Sequence, residues 1–189
     1  MSVKRIYLVR HCKAASQEPE APLTEEGVKQ AERLADFFAE KKVDRIVSSP
    51  FERAIASIRP YADKTGLAIA TDDRLRERVL STEPLPDWME RLKATFDDFE
   101  LRLPGGESSR EAMERGCGVI RECWSRPETN TVVVTHGNLM ALILKACDDR
   151  YGYEDWSRLT NPDVYELVKA DGEGEIMIRR VWNGAAGPG

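Results

Sequence analysis

Long apolar runs are missing from this chain: no stretch reaches the roughly 20 residues a bilayer span needs, so no membrane association is expected. Met1 to Val9 holds neither a long apolar stretch nor a small-residue cleavage site, so no signal peptide is expected and the protein reads as cytoplasmic. A basic excess is missing as well. Lys and Arg number 28 against 33 Asp and Glu, a formal net charge of −5. Nucleic-acid binders ordinarily show a basic footprint, so no nucleic-acid partner is expected. A local basic pocket for a small anion stays compatible with an acidic chain. Cysteine is sparse: Cys12, Cys117, Cys123 and Cys147 form no CxxC pair and no cluster with zinc spacing, so no zinc site is expected; no cofactor is expected either. Three of the four sit in helix-like stretches and read as small buried hydrophobes. Histidine is scarcest of all, at His11 and His136 only.

What remains is an ordinary globular composition, 41% hydrophobic and 32% charged over 189 residues, which predicts one domain over 1–189. No internal repeat, low-complexity tract or linker interrupts it. Ile6 to Val9 is a short apolar run ending at Arg10-His11-Cys12, the pattern of a buried strand feeding a loop. Thr24 opens a helix carrying Val28, Ala31, Leu34, Ala35 and Phe38 at helical spacing. Asp44 to Ser48 reads as a strand, Ser49-Pro50 as the start of a helix with Pro in its first turn, and Ala68 to Ala70 as a third strand. Pro84 and Pro86 break the next segment before Trp88, Leu92, Phe96 and Phe99 suggest a helix. Ser108 or Ser109 caps another helix. Thr131 to Thr135 is the strongest strand signal and ends at His136-Gly137-Asn138, followed by a helix from Leu139 to Ala146. Asp163–Lys169 and Glu175–Val181 read as late strands with Gly172 and Gly174 in the turn between them. Strands alternating with helices predict an α/β layered domain with a mostly parallel sheet.

Both histidines follow the carboxyl end of a predicted buried strand, the edge where open α/β sheets bind ligands. Arg53 follows a third such junction, and Leu75-Arg76-Glu77-Arg78 a fourth. Two imidazoles, two arginines and a carboxyl group above one sheet suit a tetrahedral, doubly charged phosphoryl group. Six segments then occur in a fixed order: Leu8-Val9-Arg10-His11, Pro22 to Gly27, Ser48 to Ala54, Leu75 to Arg78, Gly106-Glu107-Ser108 and Val134 to Asn138. Together they resemble the histidine phosphatase superfamily, the phosphoglycerate mutase-like proteins, over residues 3–148. The resemblance implies a three-layer α/β/α sandwich, no metal, and a mechanism through a phosphohistidine. It implies His11 as nucleophile, Arg10 and Arg53 as phosphate-binding arginines, His136 as the second imidazole on the phosphoryl group, and Glu77 as the acid for the leaving oxygen. Gln17 stands where many members have Asn, and Asn138 or its amide would add a phosphate contact at a helix N-terminus.

The main departure from the family pattern is Cys12, which replaces the usual Gly. Two nearby arginines would lower its thiol pKa. Adjacent side chains leaving a strand diverge, however, so only one of His11 and Cys12 can face the phosphate, and Cys12 reads as a tolerated small residue. A cysteine-phosphatase reading fails because position 18, where its loop needs Arg, holds Glu18. Two readings stay beside hydrolysis of a small phosphorylated substrate: a phosphoglycerate mutase-type transferase, which needs the intermediate shielded from water, and an inactive module that binds a phosphorylated ligand. Leu80 to Leu103 could form a cap roofing the pocket, with Trp88, Met89 and Phe96 lining it or simply packing. Glu107 reads as a helix-start or supporting carboxylate. Substrate identity and oligomeric state are left open.

Overall fold

A computed structural model describes residues 3–170 and 174–183. In chain order its elements are β1 (Val3–Arg10), α1 (Glu25–Phe38), β2 (Arg45–Ser48), α2 (Glu52–Thr65), β3 (Ile69–Thr71), a 3-10 turn (Asp73–Leu75), α3 (Trp88–Asp97), α4 (Ser109–Ser125), β4 (Asn130–Thr135), α5 (Gly137–Cys147), α6 (Tyr153–Ser157), β5 (Asp163–Ala170) and β6 (Met177–Arg180). The six strands form one sheet in the order β3-β2-β4-β1-β5-β6. β3, β2, β4 and β1 run parallel, while β5 pairs antiparallel with β1 and β6 antiparallel with β5. The expected mostly parallel sheet is therefore mixed at its C-terminal edge.

The period-two side-chain alternation of the strands builds the three layers. On β1, Ile6 and Leu8 point into a core shared with Leu92, Val119, Ile120 and the α5 residues Leu139 to Leu144. Tyr7 and Val9 point the other way, into a core with Leu34, Phe38, Ala54 and Ile58 of α1 and α2. Val133 joins the first core, and Val132 and Val134 the second. A central strand buried on both faces needs a continuous apolar run, which is what β1 and β4 carry. Each fully buried Leu, Ile or Val contributes about 1.5–3 kcal/mol relative to exposure, so both faces stabilise the sheet that aligns the strand ends.

Helix starts follow side-chain chemistry. Thr24 accepts from the Gly27 amide to cap α1, and Ser108 forms a reciprocal capping box with Glu111 at α4. α2 departs from expectation: Phe51 is its N-cap and Glu52 its first residue, so Pro50 lies before the helix rather than in its first turn, while Pro60 sits inside. The helix predicted within 80–103 is α3. Phe96 is buried in the first core, edge-on to Tyr153, whereas Trp88 and Met89 are exposed and line a separate depression with Tyr153. Gly172, expected in the last turn, lies outside the described residues. No described helix is long and apolar enough to cross a membrane.

Candidate active site

Strand register brings the predicted residues together. Arg10 pairs with Thr135, and Ser48 with Val134, so β1, β4 and β2 end side by side. The next residues out, His11, His136 and Ser49, therefore leave the sheet in one row. The His11 amide donates to the Thr135 carbonyl at 3.1 Å and the Ser49 amide to Val134 at 2.9 Å. The His11 and His136 rings lie with centroids 5.1 Å apart.

The His11 ring is held by two contacts whose polarity is forced. Its Nδ1 lies 2.6 Å from the Cys12 carbonyl oxygen, which can only accept, so Nδ1 carries the proton. Its Nε2 lies 3.2 Å from Nε of Arg53, which can only donate, so Nε2 presents a lone pair. Burial first, with the charges of Arg53 and Arg10 adding to it, lowers the pKa of His11 from 6.5 to about 4. The ring is thus neutral at physiological pH, with its free nitrogen beside a guanidinium.

Arg53 is fully buried and also donates through Nη1 to the carbonyls of Gln17 at 3.1 Å and Glu18 at 2.9 Å. That fixes the guanidinium from behind, over the Phe51 ring. Arg10 donates Nη1 to the Leu159 carbonyl at 3.1 Å, while its buried Nε has no partner. Its guanidinium lies against the first turn of α5, where a Cβ on Gly137 would come within 3.0 Å of Cζ and Nε. Only glycine leaves that space. His136 is buried, with Nε2 2.8 Å from the Ser49 hydroxyl and Nδ1 unpartnered. Burial, and after it His11, Arg53 and Arg10, hold its pKa well below 6.5.

Glu77 arrives from the loop that follows β3. Its Oε1 accepts from the amides of Arg78 at 2.8 Å and Leu139 at 3.0 Å, and its Oε2 from the Asn138 amide at 3.1 Å. Glu77 forms no salt bridge to Arg76 or Arg78 among the described residues; Arg76 pairs with Asp73. The Asn138 amide, expected on the phosphate, is committed to Glu77 instead. Both lone pairs of Oε1 are thus used, and one remains on Oε2. The loop is itself held by Arg115, which donates to the carbonyls of Arg74 and Arg76 and forks onto Glu107 at 2.7 and 2.9 Å. Glu107 in turn accepts from the Val79 amide at 3.0 Å, the supporting role expected of it.

Other expected residues are placed less directly. Gln17 contributes its carbonyl to Arg53, and its side chain is exposed. Asn138 is buried with an unpartnered Oδ1. Cys12 reverses one expectation. It is fully buried in the second core, and burial, opposed only in part by the hydrogen bond to Ser57, pushes its thiol up to about 12. The expected lowering does not occur: desolvation outweighs the one arginine that acts on the thiol, Arg33. Three contacts were not read from the sequence: Ser49 on His136, Ser57 on the Cys12 amide at 2.7 Å, and Asn161, whose Nδ2 donates to the His11 carbonyl at 2.9 Å.

A cavity of about 810 Å3 opens beside these groups, lined by Pro19, Pro50, Phe51, Glu77 and Val79 among others, with no residue of 80–103 in its wall. Trp88, Met89 and Phe96, compatible from sequence with lining or with packing, do not line this cavity. Among the described residues, no group of three or more His, Cys, Asp or Glu side chains is placed to hold a metal ion.

A buried neutral imidazole flanked by two guanidiniums, a second imidazole and a carboxylate defines a phosphoryl-handling site on a three-layer α/β/α frame. Comparison with known proteins agrees. Residues 6–181 match the family described as the histidine phosphatase superfamily, branch 1. A relative from Hydrogenobacter thermophilus, provisionally named phosphoserine phosphatase 2, is 31% identical over 75% of this chain and 77% of its own. One from Yersinia pestis, provisionally named a phosphoglycerate mutase, is 30% identical over 74% of this chain and 73% of its own. The structure of mycobacterial glucosyl-3-phosphoglycerate phosphatase with inorganic phosphate superimposes with a TM-score of 0.76 and 26% identity, covering 96% of this chain and 98% of that one. The chain belongs to the histidine phosphatase superfamily.

Proposed function

We propose that the protein is a phosphatase that hydrolyses small phosphomonoesters through a phosphohistidine on Nε2 of His11, without a metal ion. The observation that carries this reading is the polarity of the buried site. His11 offers a lone pair, while Arg10 Nε and His136 Nδ1 are buried beside it with no protein partner. Buried polar groups are ordinarily satisfied, and a phosphoryl group would satisfy these.

The chemistry follows from the positions. Arg10, Arg53 and His136 share the charge on the non-bridging oxygens. The Ser49 hydroxyl accepts from the Phe51 amide and can donate to His136 Nε2, placing that ring's proton on Nδ1, toward the phosphoryl group. Each such donor typically lowers a barrier by about 2.7–4 kcal/mol, the scale on which fixed cations replace a metal. His11 Nε2 attacks phosphorus and the P–O ester bond breaks. The electron pair goes to the leaving oxygen, which takes a proton from Oε2 of Glu77. Glu77, now a carboxylate, takes a proton from water as that water attacks phosphorus, and the N–P pair returns to His11. Gln17 and Asn138 would touch the phosphoryl group only after side-chain rearrangement. The mutase reading is disfavoured because no residue of 80–103 covers the cavity and so shields an intermediate from water. A pure binding module would have no use for Glu77. We read 1–189 as one domain acting in the cytoplasm, consistent with four free cysteines.

The test is hydrolysis of an aryl phosphate in excess chelator. Undiminished turnover is expected, and loss of activity restored by a divalent ion would contradict the metal-free mechanism.

A further inference from the structure

We infer that Arg180 is a positioning residue for the phosphoryl site: it occupies the buried carboxylate of Asp163 and so leaves Arg10 free to bind phosphate. This rests on the placement of Arg10 on the phosphoryl group in the phosphatase reading, and it adds to that site a residue from the edge strand β6.

Arg10 ends β1 and Asp163 begins β5, and the antiparallel register sets the two directly opposite each other. Opposed residues of an antiparallel pair project from the same face, with Cβ atoms about 4.5–5.5 Å apart. Asp163 has no exposed surface, and a buried carboxylate ordinarily pairs with a cation in reach. Yet among the described residues no hydrogen bond or ion pair joins Asp163 to Arg10. The Arg180 guanidinium takes the carboxylate instead, with Nε on Oδ1 at 3.0 Å and Nη2 on Oδ2 at 2.6 Å. The Val164 amide donates to Oδ1 at 3.0 Å and the Thr160 amide to Oδ2 at 2.9 Å. Each oxygen therefore accepts two donors, which fills its lone pairs. Arg180 also donates to the Arg158 carbonyl at 3.2 Å, next to the Leu159 carbonyl that holds Arg10.

Two cations and one anion leave a single positive charge in this group. With Asp163 closed on Arg180, that charge stands at Arg10, whose buried Nε has no protein partner. With Asp163 closed on Arg10, it would stand at Arg180, whose side chain is 38% exposed, and the phosphoryl site would lose a cation. Burial lowers the pKa of Arg10 and the charges of Glu77 and Asp163 oppose that, so both carboxylates act on it. Glu77 is committed to three backbone amides. Asp163 is the one that only another side chain keeps away. Without Arg180, one lone pair opens on each Asp163 oxygen, a fork that matches a guanidinium. Arg10 then closes onto it and withdraws from the phosphate.

The test is the calorimetric dissociation constant for inorganic phosphate, with Tm measured on each preparation. Arg180→Gln should weaken binding by about tenfold or more, the size of one charge-assisted hydrogen bond. Asp163→Asn, and the double variant Asp163→Asn, Arg180→Gln, should bind within about threefold of the wild type, although both melt at lower temperature. A purely structural clasp makes the opposite forecast, since removing both partners would leave binding at least as weak as in Arg180→Gln. Unchanged affinity in Arg180→Gln, or a double variant as weak as that single one, overturns the inference. If Arg180→Gln does not fold, Arg180→Lys replaces it, keeping the charge but not the fork. A weakening there that Asp163→Asn reverses supports the inference, and no weakening, or one that persists, overturns it. Arg10→Ala is the reference. If it binds phosphate as tightly as the wild type, Arg10 is not on the phosphate and the inference falls. Turnover of an aryl phosphate by the wild type decides the phosphatase reading separately.

Discussion

Replacing Gly137 with alanine places one methyl group against the Arg10 guanidinium. The new Cβ would stand 3.0 Å from Arg10 Cζ and Nε and 3.1 Å from Nη2, where ordinary contacts begin at 3.4 Å. Arg10 must therefore withdraw by about 0.4 Å. Its one protein anchor, the Leu159 carbonyl at 3.1 Å, sits near the long end of hydrogen-bond range already, so the shift leaves the guanidinium poorly held. A charge-assisted hydrogen bond contributes about 1.5–3 kcal/mol, and losing roughly half of one to the phosphoryl group costs about 1 kcal/mol. That predicts a fall of about five- to tenfold in kcat/KM. The fold should respond differently. Alanine is favoured over glycine in a helix by up to about 1 kcal/mol, which offsets the crowding, so Tm should stay within about 5 °C of the wild type. Initial rates on p-nitrophenyl phosphate and a thermal melt of the same preparation give both numbers. A kcat/KM within about twofold of the wild type, or a loss matched by a collapse in Tm, would refute the placement of Arg10 over α5.

Two further outcomes follow from the site. Glu77→Gln should slow alkyl phosphates by about 10²–10⁴-fold and aryl phosphates much less, since a good leaving group needs little protonation; equal losses in steady-state rates on both would remove Glu77 from the acid role. Cys12→Ser should keep most of the activity, because the thiol is buried and protonated with its pKa at about 12, while Tm falls as a hydroxyl enters an apolar core at a cost of about 1–3 kcal/mol. A drop in kcat near 10³-fold, about 4 kcal/mol, would show that the thiol takes part in the chemistry.

The sequence made the sheet edge legible because β1 and β4 are unbroken apolar runs that stop at Arg10-His11 and His136, and a parallel sheet puts such ends on one side. Arg53 was legible for the same reason, one turn beyond β2. Asn161 was not. It precedes β5, which runs antiparallel, so it reaches the active edge at the start of a strand, where a rule about strand ends does not look. The Cys12 environment was misread because sequence proximity to Arg10 says nothing about dielectric. The side chain turns into the core between the sheet and α1, where desolvation sets its pKa. For 80–103 the sequence left a roof and ordinary packing both open: Leu92 and Phe96 bind α3 to the first core, and Trp88 and Met89 line a depression separate from the main cavity. Ser49, the partner of His136, carried no pattern that distinguishes it from the capping serine common before a helix.

Everything in the mechanism depends on His11 Nε2 becoming covalently bonded to phosphorus. The direct measurement is a rapid quench of enzyme with radiolabelled substrate, followed by acid and base treatment of the labelled protein and by mapping of the label. The account predicts a phosphoenzyme that is stable in base and labile in acid, as a phosphoramidate is, carried on His11 and missing from His11→Asn. A base-labile acyl phosphate, a thiophosphate on Cys12, or label persisting in His11→Asn would contradict it.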